Sequence, residues 1–223
     1  MNRYFKTPPI VTNLLIINAL VFLAQYFLPA ATSDGMTRLF ALFPWQSPFF
    51  RPWQPLTYMF MHGSWEHLFF NMFALWMFGR ILEYDLGGRR FIVYYLICGV
   101  GAGLFQMGVK WIEIGMMQRQ LVTNPELIGN LMTMVNMPTV GASGAIFGVL
   151  LAFGMLHPND RIILLIPPIP MKAKYFVIGY GVLELIFGFA SSGGSIAHFA
   201  HVGGMLWGLL LLYTWKKSGI IRF

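Results

Sequence analysis

One serine in this chain lies where a helix could activate it. Ser143 belongs to a run of small residues, Gly-Ala-Ser-Gly-Ala-Ile-Phe-Gly, that spans 141–148 and opens an apolar segment ending at His157. At the start of a helix, free backbone N–H groups and the positive end of the helix dipole would stabilise an oxyanion. With a base nearby, Ser143 could be a nucleophile. Without one, the run is a glycine-rich packing surface with an incidental serine.

Two further clusters place polar side chains in apolar segments, where they are costly and are therefore candidates for function. His67 and Asn71 are four residues apart, so a helix would stack them on one face as two hydrogen-bond donors. His198 and His201 open the last apolar segment. Either histidine could supply the base that Ser143 needs.

Small residues suggest how that base would reach the serine. The last segment continues with Gly204 and Gly208, a spacing at which helices pack closely. We expect this seam to pack on the glycines of the serine segment, namely Gly141, Gly144 and Gly148. Such packing would place an imidazole beside Ser143.

Zinc binding is the main alternative for the histidines. His198 and His201 are three residues apart, and His62 and His67 could add ligands. However, the chain has no His-Glu-x-x-His motif, and Glu66 is the one acid near these residues. We therefore predict no metal and no cofactor.

Four polar residues fit structural roles. For His62 and His198 we expect structural hydrogen bonding, and His157 borders a proline at the end of its segment. Glu184 is the single acid within the fifth segment, and no basic residue in the centre of a span could pair with it. We expect it to be structural, with a proton relay in a transporter as the alternative.

Composition sets the class of protein. The 223 residues are 57% hydrophobic and 10% charged, whereas soluble domains carry roughly 25% charged residues. The chain is therefore predicted to be a polytopic membrane protein. Its single cysteine, Cys98, excludes an intramolecular disulfide. The net charge of +7 is scattered in short clusters between apolar runs, which indicates membrane topology and no nucleic-acid partner.

The predicted fold is all-α, a single membrane domain over 1–223 with six transmembrane helices. A span needs about 20 residues, with a range of about 17–25. Six apolar segments qualify or come close, with the fourth and fifth short: 10–28, 65–83, 91–109, 142–157, 175–190 and 196–215.

Basic residues predict the orientation. If the N-terminus is cytoplasmic, four of the 15 Lys and Arg residues face outward (Arg38, Arg51, Lys110 and Arg119) and eleven face inward. Both termini are then cytoplasmic, and Ser143 begins its helix from the outer side. Because that helix spans only about 21 Å of the roughly 30 Å hydrocarbon layer, Ser143 would lie on the order of 10 Å below the outer surface. Irregular backbone at that depth is tolerated only where protein or a water-filled cavity surrounds it, and we expect a water-filled pocket that opens outward with the serine at its floor.

Taken together and in this order, the motifs resemble the rhomboid intramembrane serine proteases in their minimal six-span bacterial form. The matching pieces cover about residues 10 to 215: His67-x-x-x-Asn71, Gly141-Ala142-Ser143-Gly144, Ala200-His201-Val202-Gly203-Gly204 with Gly208, and the link Gly79-Arg80-x-x-Glu83.

The resemblance implies a role for each site residue. Ser143 would be the nucleophile and His201 the general base, in a dyad that has no third, acidic member. His201 is preferred to His198 because the family has glycine three and seven residues after the base. The Ser143 backbone N–H, His67 and Asn71 would stabilise the oxyanion, and the Phe147 ring would support the base.

The resemblance also implies the substrates, which are transmembrane helices of other proteins that unwind near the outer end and are cut there. The alternatives are a rhomboid-like protein that binds helices without cutting them, and a transporter that uses Glu184. A bacterial inner membrane is the expected location, and the oligomeric state stays open. One departure is visible: relatives often carry Trp-Arg where this chain has Trp53-Gln54. We expect this change to remove a tether of the first outer loop.

Overall fold

The computed structural model describes residues 6–163, 169–190 and 197–221. Predictions that involve residues 1–5, 164–168, 191–196, 222 and 223, including the start of the sixth span at 196, lie outside the described residues. The described chain is a bundle of helices with one small β-hairpin, and the predicted all-α polytopic fold is confirmed.

Helices occupy every predicted apolar segment. They are α1 (Pro9–Phe27), α4 and α5 (Trp65–Ala74 and Arg80–Leu86, joined by a π turn over Leu75–Gly79), α6 (Gly88–Gln120), α8 (Ser143–Leu156), α9 (Ala173–Ala190) and α10 (His198–Lys217). By length and composition alone, three described helices could each cross a membrane: α1, α6 and α9. Among the remaining predicted spans, the second is interrupted by the π turn and α8 has only 14 residues, whereas α10 is a continuous helix of 20 residues whose first turn contains two histidines.

The long loops contain helices that hydropathy does not reveal. The first outer loop holds α2 (Ala30–Phe40), α3 (Gln54–Thr57) and a 3₁₀ turn at Tyr58–Phe60. The second holds a 3₁₀ turn at Pro125–Leu127 and α7 (Ile128–Asn136). The link before α9 forms β1 (Arg161–Ile163) and β2 (Pro170–Lys172), which pair antiparallel.

Helix α6 is 33 residues long and runs eleven residues past the predicted end of the third span at 109. Its extension carries the ion pair Lys110–Glu113 at 2.8 Å, one turn apart on the helix. A span predicted from hydropathy ends where such charged residues begin, whereas the helix itself continues through them.

The core lies where α6, α8 and α10 meet. Ten of the fourteen residues of α8 are buried, as expected for a helix that is apolar on all sides and surrounded by others. On α6, the buried Tyr94 satisfies a polar atom of this core, since its hydroxyl donates to the Gly148 carbonyl at 2.8 Å.

The Gly79-Arg80-x-x-Glu83 link has a structural role. The buried Glu83 carboxylate accepts hydrogen bonds from the backbone N–H groups of Ile10 (3.0 Å) and Val11 (2.7 Å). These are first-turn donors of α1, which have no acceptor within their own helix. Glu83 therefore connects the start of α1 to the first turn of α5.

Candidate active site

Ser143 and His201 are in contact across α8 and α10. The Nε2 atom of His201 lies 2.8 Å from the Ser143 Oγ, a distance typical of a hydrogen bond. Both side chains come from the first turns of their helices, at the same end of the bundle. The structure thus brings together the two residues that sequence reasoning selected as nucleophile and base.

The Phe147 ring lies flat against the His201 imidazole. The ring centroids are 4.2 Å apart and the planes differ by 5°, while Tyr180 of α9 packs on Phe147 at 4.8 Å. Because Phe147 lies one helical turn after Ser143, the same helix that carries the nucleophile restricts the orientation of the base.

The loop that leads into Ser143 is fixed by backbone pairing. Thr139 and Leu42 exchange two N–H···O bonds of 2.8 and 2.9 Å, and the Gly141 N–H donates to the Tyr58 carbonyl at 3.0 Å. Gly141 has a φ of +125°, which side chains other than glycine rarely adopt, and a Cβ there would lie 2.7 Å from the His67 ring. Both the positive φ and the lack of space for a Cβ therefore require glycine at position 141.

His67 reaches the site from the first turn of α4. Ser64 begins that helix, because its Oγ accepts the His67 backbone N–H at 3.1 Å. The Gly63 N–H points at the His67 Nδ1 at 3.4 Å, so a neutral ring carries its proton on Nε2. That nitrogen lies close to Gly141, in the cavity that Ser143 also lines.

Asn71 is placed differently from the expectation. It lines the same cavity, but its Nδ2 donates to the His67 carbonyl one turn earlier, at 2.8 Å. The Asn71 amide nitrogen is therefore already hydrogen-bonded within its own helix. In this arrangement His67 is the more direct of the two predicted oxyanion donors.

The site residues line one cavity of about 670 Å³. Its wall combines residues from α4, α6, α8, α9 and α10, among them Asn71, Lys110, Ser143, Tyr180 and His201. Next to Ser143, Gly144 lies against Ala102 of α6, and Lys110 follows eight residues later on that helix, or about 12 Å along its axis. Ser143 therefore lies deeper in the bundle than Lys110, a charged residue that lines the same cavity.

Glu184 is the residue that the sequence analysis undervalued. Its Oε2 lies 2.8 Å from the Nδ1 of His201 and 2.6 Å from the Nδ1 of His198. The expectations that His201 has no acidic partner and that Glu184 has no basic partner within the spans are wrong. A signal was present, since Tyr180, Glu184 and Gly188 recur at a spacing of four, which places the acid on the inward face of α9.

The same three side chains offer the one group of potential metal ligands found among the described residues. Glu184, His198 and His201 each present a ligand atom within 4.8 Å of the others. An ion held by carboxylate and imidazole at about 2.0–2.2 Å would separate these atoms by roughly 3 Å or more. The observed 2.6 and 2.8 Å instead correspond to direct hydrogen bonds.

The Trp53-Gln54 pair, where we expect an arginine tether to be absent, is hydrogen-bonded within the first outer loop. Gln54 is fully buried, and its Nε2 donates to the carbonyls of Arg38 (3.0 Å) and Phe49 (2.9 Å) while its Oε1 accepts from Phe43 N (3.3 Å). The Trp53 Nε1 donates to the Leu39 carbonyl at 2.9 Å. The amide itself ties the first outer loop together.

The glycine seam is only partly as predicted. A Cβ on Gly204 would collide with the Gly144 carbonyl, and one on Gly148 would lie 3.1 Å from the Gly204 carbonyl, so α8 and α10 do meet there. Gly208, however, lies against Tyr94 and Cys98 of α6, and Gly141 precedes α8 and accommodates His67. For these two the predicted α8–α10 packing is wrong, because each faces a different neighbour.

The two remaining histidines lie away from the reacting groups. Burial and the neighbouring His67 imidazole lower the pKa of His62 to about 3, which leaves it neutral near pH 7, and its backbone is held by two hydrogen bonds to Gln25. At the opposite end of the bundle, the His157 Nε2 lies 2.6 Å from a carboxylate oxygen of Asp85 and joins α8 to α5.

Comparisons with known proteins agree with this architecture. The family model of the Rhomboid domain matches residues 50–218. Rhomboid protein 1, mitochondrial, of Saccharomyces cerevisiae is 33% identical over 163 residues, covering 73% of this chain and 41% of that protein. Rhomboid protease AarA of Providencia stuartii is 30% identical over 169 residues, covering 71% and 54%.

A third relative matches along nearly the whole chain. The putative rhomboid protease YdcA of Bacillus subtilis is 28% identical over 223 residues, covering 94% of this chain and 90% of that protein. The chain spans less than two thirds of the length of several other relatives, including those from yeast and Providencia. The matched domain covers well over half of the chain and includes the serine, both histidines and their helices, and the chain therefore belongs to the rhomboid family.

Proposed function

We propose that this protein is an intramembrane serine endopeptidase that cleaves transmembrane helices of other membrane proteins. The observation that carries the proposal is the 2.8 Å contact between the Ser143 Oγ and the His201 Nε2 in a cavity lined by polar side chains. Relatives named as rhomboid proteases make the same chemistry the first expectation for this chain.

In the proposed reaction the Ser143 Oγ attacks the scissile carbonyl carbon while its proton passes to the His201 Nε2. The Ser143 backbone N–H and the His67 Nε2–H stabilise the resulting oxyanion. His201 then gives the proton to the leaving amine as the C–N bond breaks. Water attacks the acyl-enzyme and releases the second product.

The substrate must be unwound locally. In an intact helix the carbonyl groups are engaged in backbone hydrogen bonds and surrounded by side chains. We therefore infer that cleavage occurs near a helix end that contains small or helix-destabilising residues. With both termini in the cytoplasm of a bacterial cell, the cavity opens outward and cleavage releases the substrate's ectodomain on that side.

Two alternatives find less support in the site. A protein that only binds helices has no need for a serine and an imidazole at hydrogen-bond distance. A transporter that uses Glu184 would need an acid free to exchange protons, whereas the Glu184 carboxylate already contacts two imidazoles.

The deciding experiment uses the purified full chain in liposomes with a single-span reporter protein. The wild type should cut the reporter and react with a fluorophosphonate probe at Ser143, whereas Ser143→Ala should do neither. His201→Ala should abolish cleavage and slow labelling by about 10²-fold or more. Equal cleavage by the wild type and Ser143→Ala, or labelling of another serine, would refute the proposal.

A further inference from the structure

We propose that Glu184 is a positioning residue for the base, so that the site operates as a Ser143–His201–Glu184 triad. This inference rests on the proposed protease function and goes beyond the dyad that the family resemblance implies. Three elements contribute to it, because Ser143 opens α8, His201 lies on the first turn of α10 and Glu184 lies on α9.

The two ring nitrogens of His201 face different partners. Its Nδ1 lies 2.8 Å from the Glu184 Oε2, and its Nε2 lies 2.8 Å from the Ser143 Oγ. A carboxylate accepts hydrogen bonds, so the Nδ1 carries the proton and the Nε2 presents a lone pair to the serine hydroxyl. Without an acceptor at Nδ1, the imidazole could place its single proton on Nε2, where it cannot act as the base.

Burial makes this contact stronger than a similar one in water. Glu184 is 5% exposed and lies within the helix bundle, where a carboxylate without partners would be costly. Two imidazole donors lower that cost, because His198 contacts the same oxygen at 2.6 Å. As His201 becomes positively charged during attack by Ser143, the adjacent carboxylate stabilises the charge and stays ionised.

Helix α9 is held in register with the base by aromatic packing. Tyr180, one turn before Glu184, packs on the same Phe147 ring that stacks on His201. One turn after Glu184, Gly188 lies against the Phe199 ring of α10. Besides Tyr180 and the two histidines of α10, the titratable side chains that line the active-site cavity are those of Tyr58, Glu66, His67, Lys110 and Glu113.

The test replaces Glu184 in three graded steps in the full-length protein. Asp keeps the charge on a shorter arm, Gln keeps an acceptor without the charge, and Leu removes both. We expect kcat to be highest with the native Glu184, lower with Asp or Gln, and lowest with Leu, while KM changes little. Glu184→Gln should lose about 10- to 100-fold, less than the ~10⁴-fold that a wrong tautomer costs, because its amide oxygen can still accept from Nδ1.

Two further measurements separate positioning from structure. The rate of fluorophosphonate labelling at Ser143 should fall in parallel with kcat, since it reports activation of the serine without a protein substrate. The Tm of Glu184→Gln should stay near that of the wild type, because its amide oxygen can still accept a hydrogen bond from an imidazole. Glu126→Gln, which removes one negative charge from an exposed turn, is the matched control and should retain wild-type kcat.

The outcomes distinguish this inference from the function on which it rests. If the wild type and Ser143→Ala behave alike, the protease function itself fails. If Ser143→Ala is inactive while Glu184→Gln and Glu184→Leu keep wild-type kcat and labelling rates, only the triad is wrong. Loss of wild-type activity in excess EDTA, restored by Zn²⁺, would also overturn it by assigning Glu184, His198 and His201 to a metal.

Discussion

At the scale of single residues, the oxyanion donors are ranked by what each side chain already bonds. His67 accepts the Gly63 N–H on Nδ1 and leaves its Nε2–H near Gly141 in the cavity, whereas Asn71 donates to a carbonyl of its own helix. A donor aimed at the developing charge contributes most to rate, and one that must first exchange partners contributes less. The two residues should therefore differ in importance.

Replacing His67 should harm catalysis more than replacing Asn71. We expect His67→Ala to lower kcat by about 10²–10³-fold, the usual cost of an oxyanion donor. Asn71→Ala should cost about ten-fold or less, the value of an ordinary hydrogen bond. Reporter cleavage in liposomes measures both, with fluorophosphonate labelling of Ser143 to show that the nucleophile persists. An Asn71→Ala loss as large as that of His67→Ala would mean that the amide turns toward the transition state.

Sequence alone could predict some of these residues and not others, for physical reasons. Ser143 and His201 stand out because each polar group interrupts an apolar segment beside small residues. Glu184 stood out as well, but its partners depend on how α9 rotates against α10, which spacing along one helix does not determine. The three hydrogen bonds of the buried Gln54 amide could not be predicted either, because they depend on the folded path of the first outer loop.

At the scale of elements, the site depends on how closely α10 approaches α8. Gly204 lies directly against the Gly144 carbonyl, one residue from the nucleophile. No side chain fits between these helices at that point, so the contact sets the distance from His201 to Ser143. The helix order was predictable from hydropathy, but the extension of α6 and the helices α2 and α7 were not, because they carry polar residues and lack long apolar runs.

Adding one methyl group at this contact should therefore impair both folding and activity. We expect Gly204→Ala to destabilise the protein by about 1–3 kcal/mol, because its Cβ meets backbone atoms that cannot rotate away. Since the displaced backbone belongs to Gly144, kcat should fall as well. Thermal unfolding in detergent and reporter cleavage measure the two effects.

The matched control has the opposite expected sign. Gly115 lies inside α6 with open space around its Cα, so Gly115→Ala should stabilise the protein by about 0.5–1 kcal/mol through helix propensity alone. It should leave kcat unchanged. If both alanine variants shift Tm in the same direction, close packing of α8 on α10 is not what positions the base.

At the scale of the whole molecule, the cavity and the basic residues define two ends. The first turns of α4, α8 and α10 line the cavity at one end, together with Lys110 and Glu113 of α6. The opposite end holds the last turn of α10, with Lys216 and Lys217. Because most of the basic residues belong to the second end, we expect from the positive-inside rule that the cavity faces the outer side of the membrane, as the proposed function assumes.

Cysteine labelling can test this orientation on the intact protein. The single native cysteine, Cys98, is fully buried in the core, so the parent chain should not react with a membrane-impermeant maleimide. Val122 is 84% exposed and follows α6 at the end of the bundle that holds the cavity. Ser218 follows α10 at the opposite end of the bundle. In intact spheroplasts Val122→Cys should be labelled, and Ser218→Cys should react only after the membrane is permeabilised. The reverse pattern would turn Ser143 toward the cytoplasm, so that cleavage would release products inward and a secreted ectodomain could not be the product.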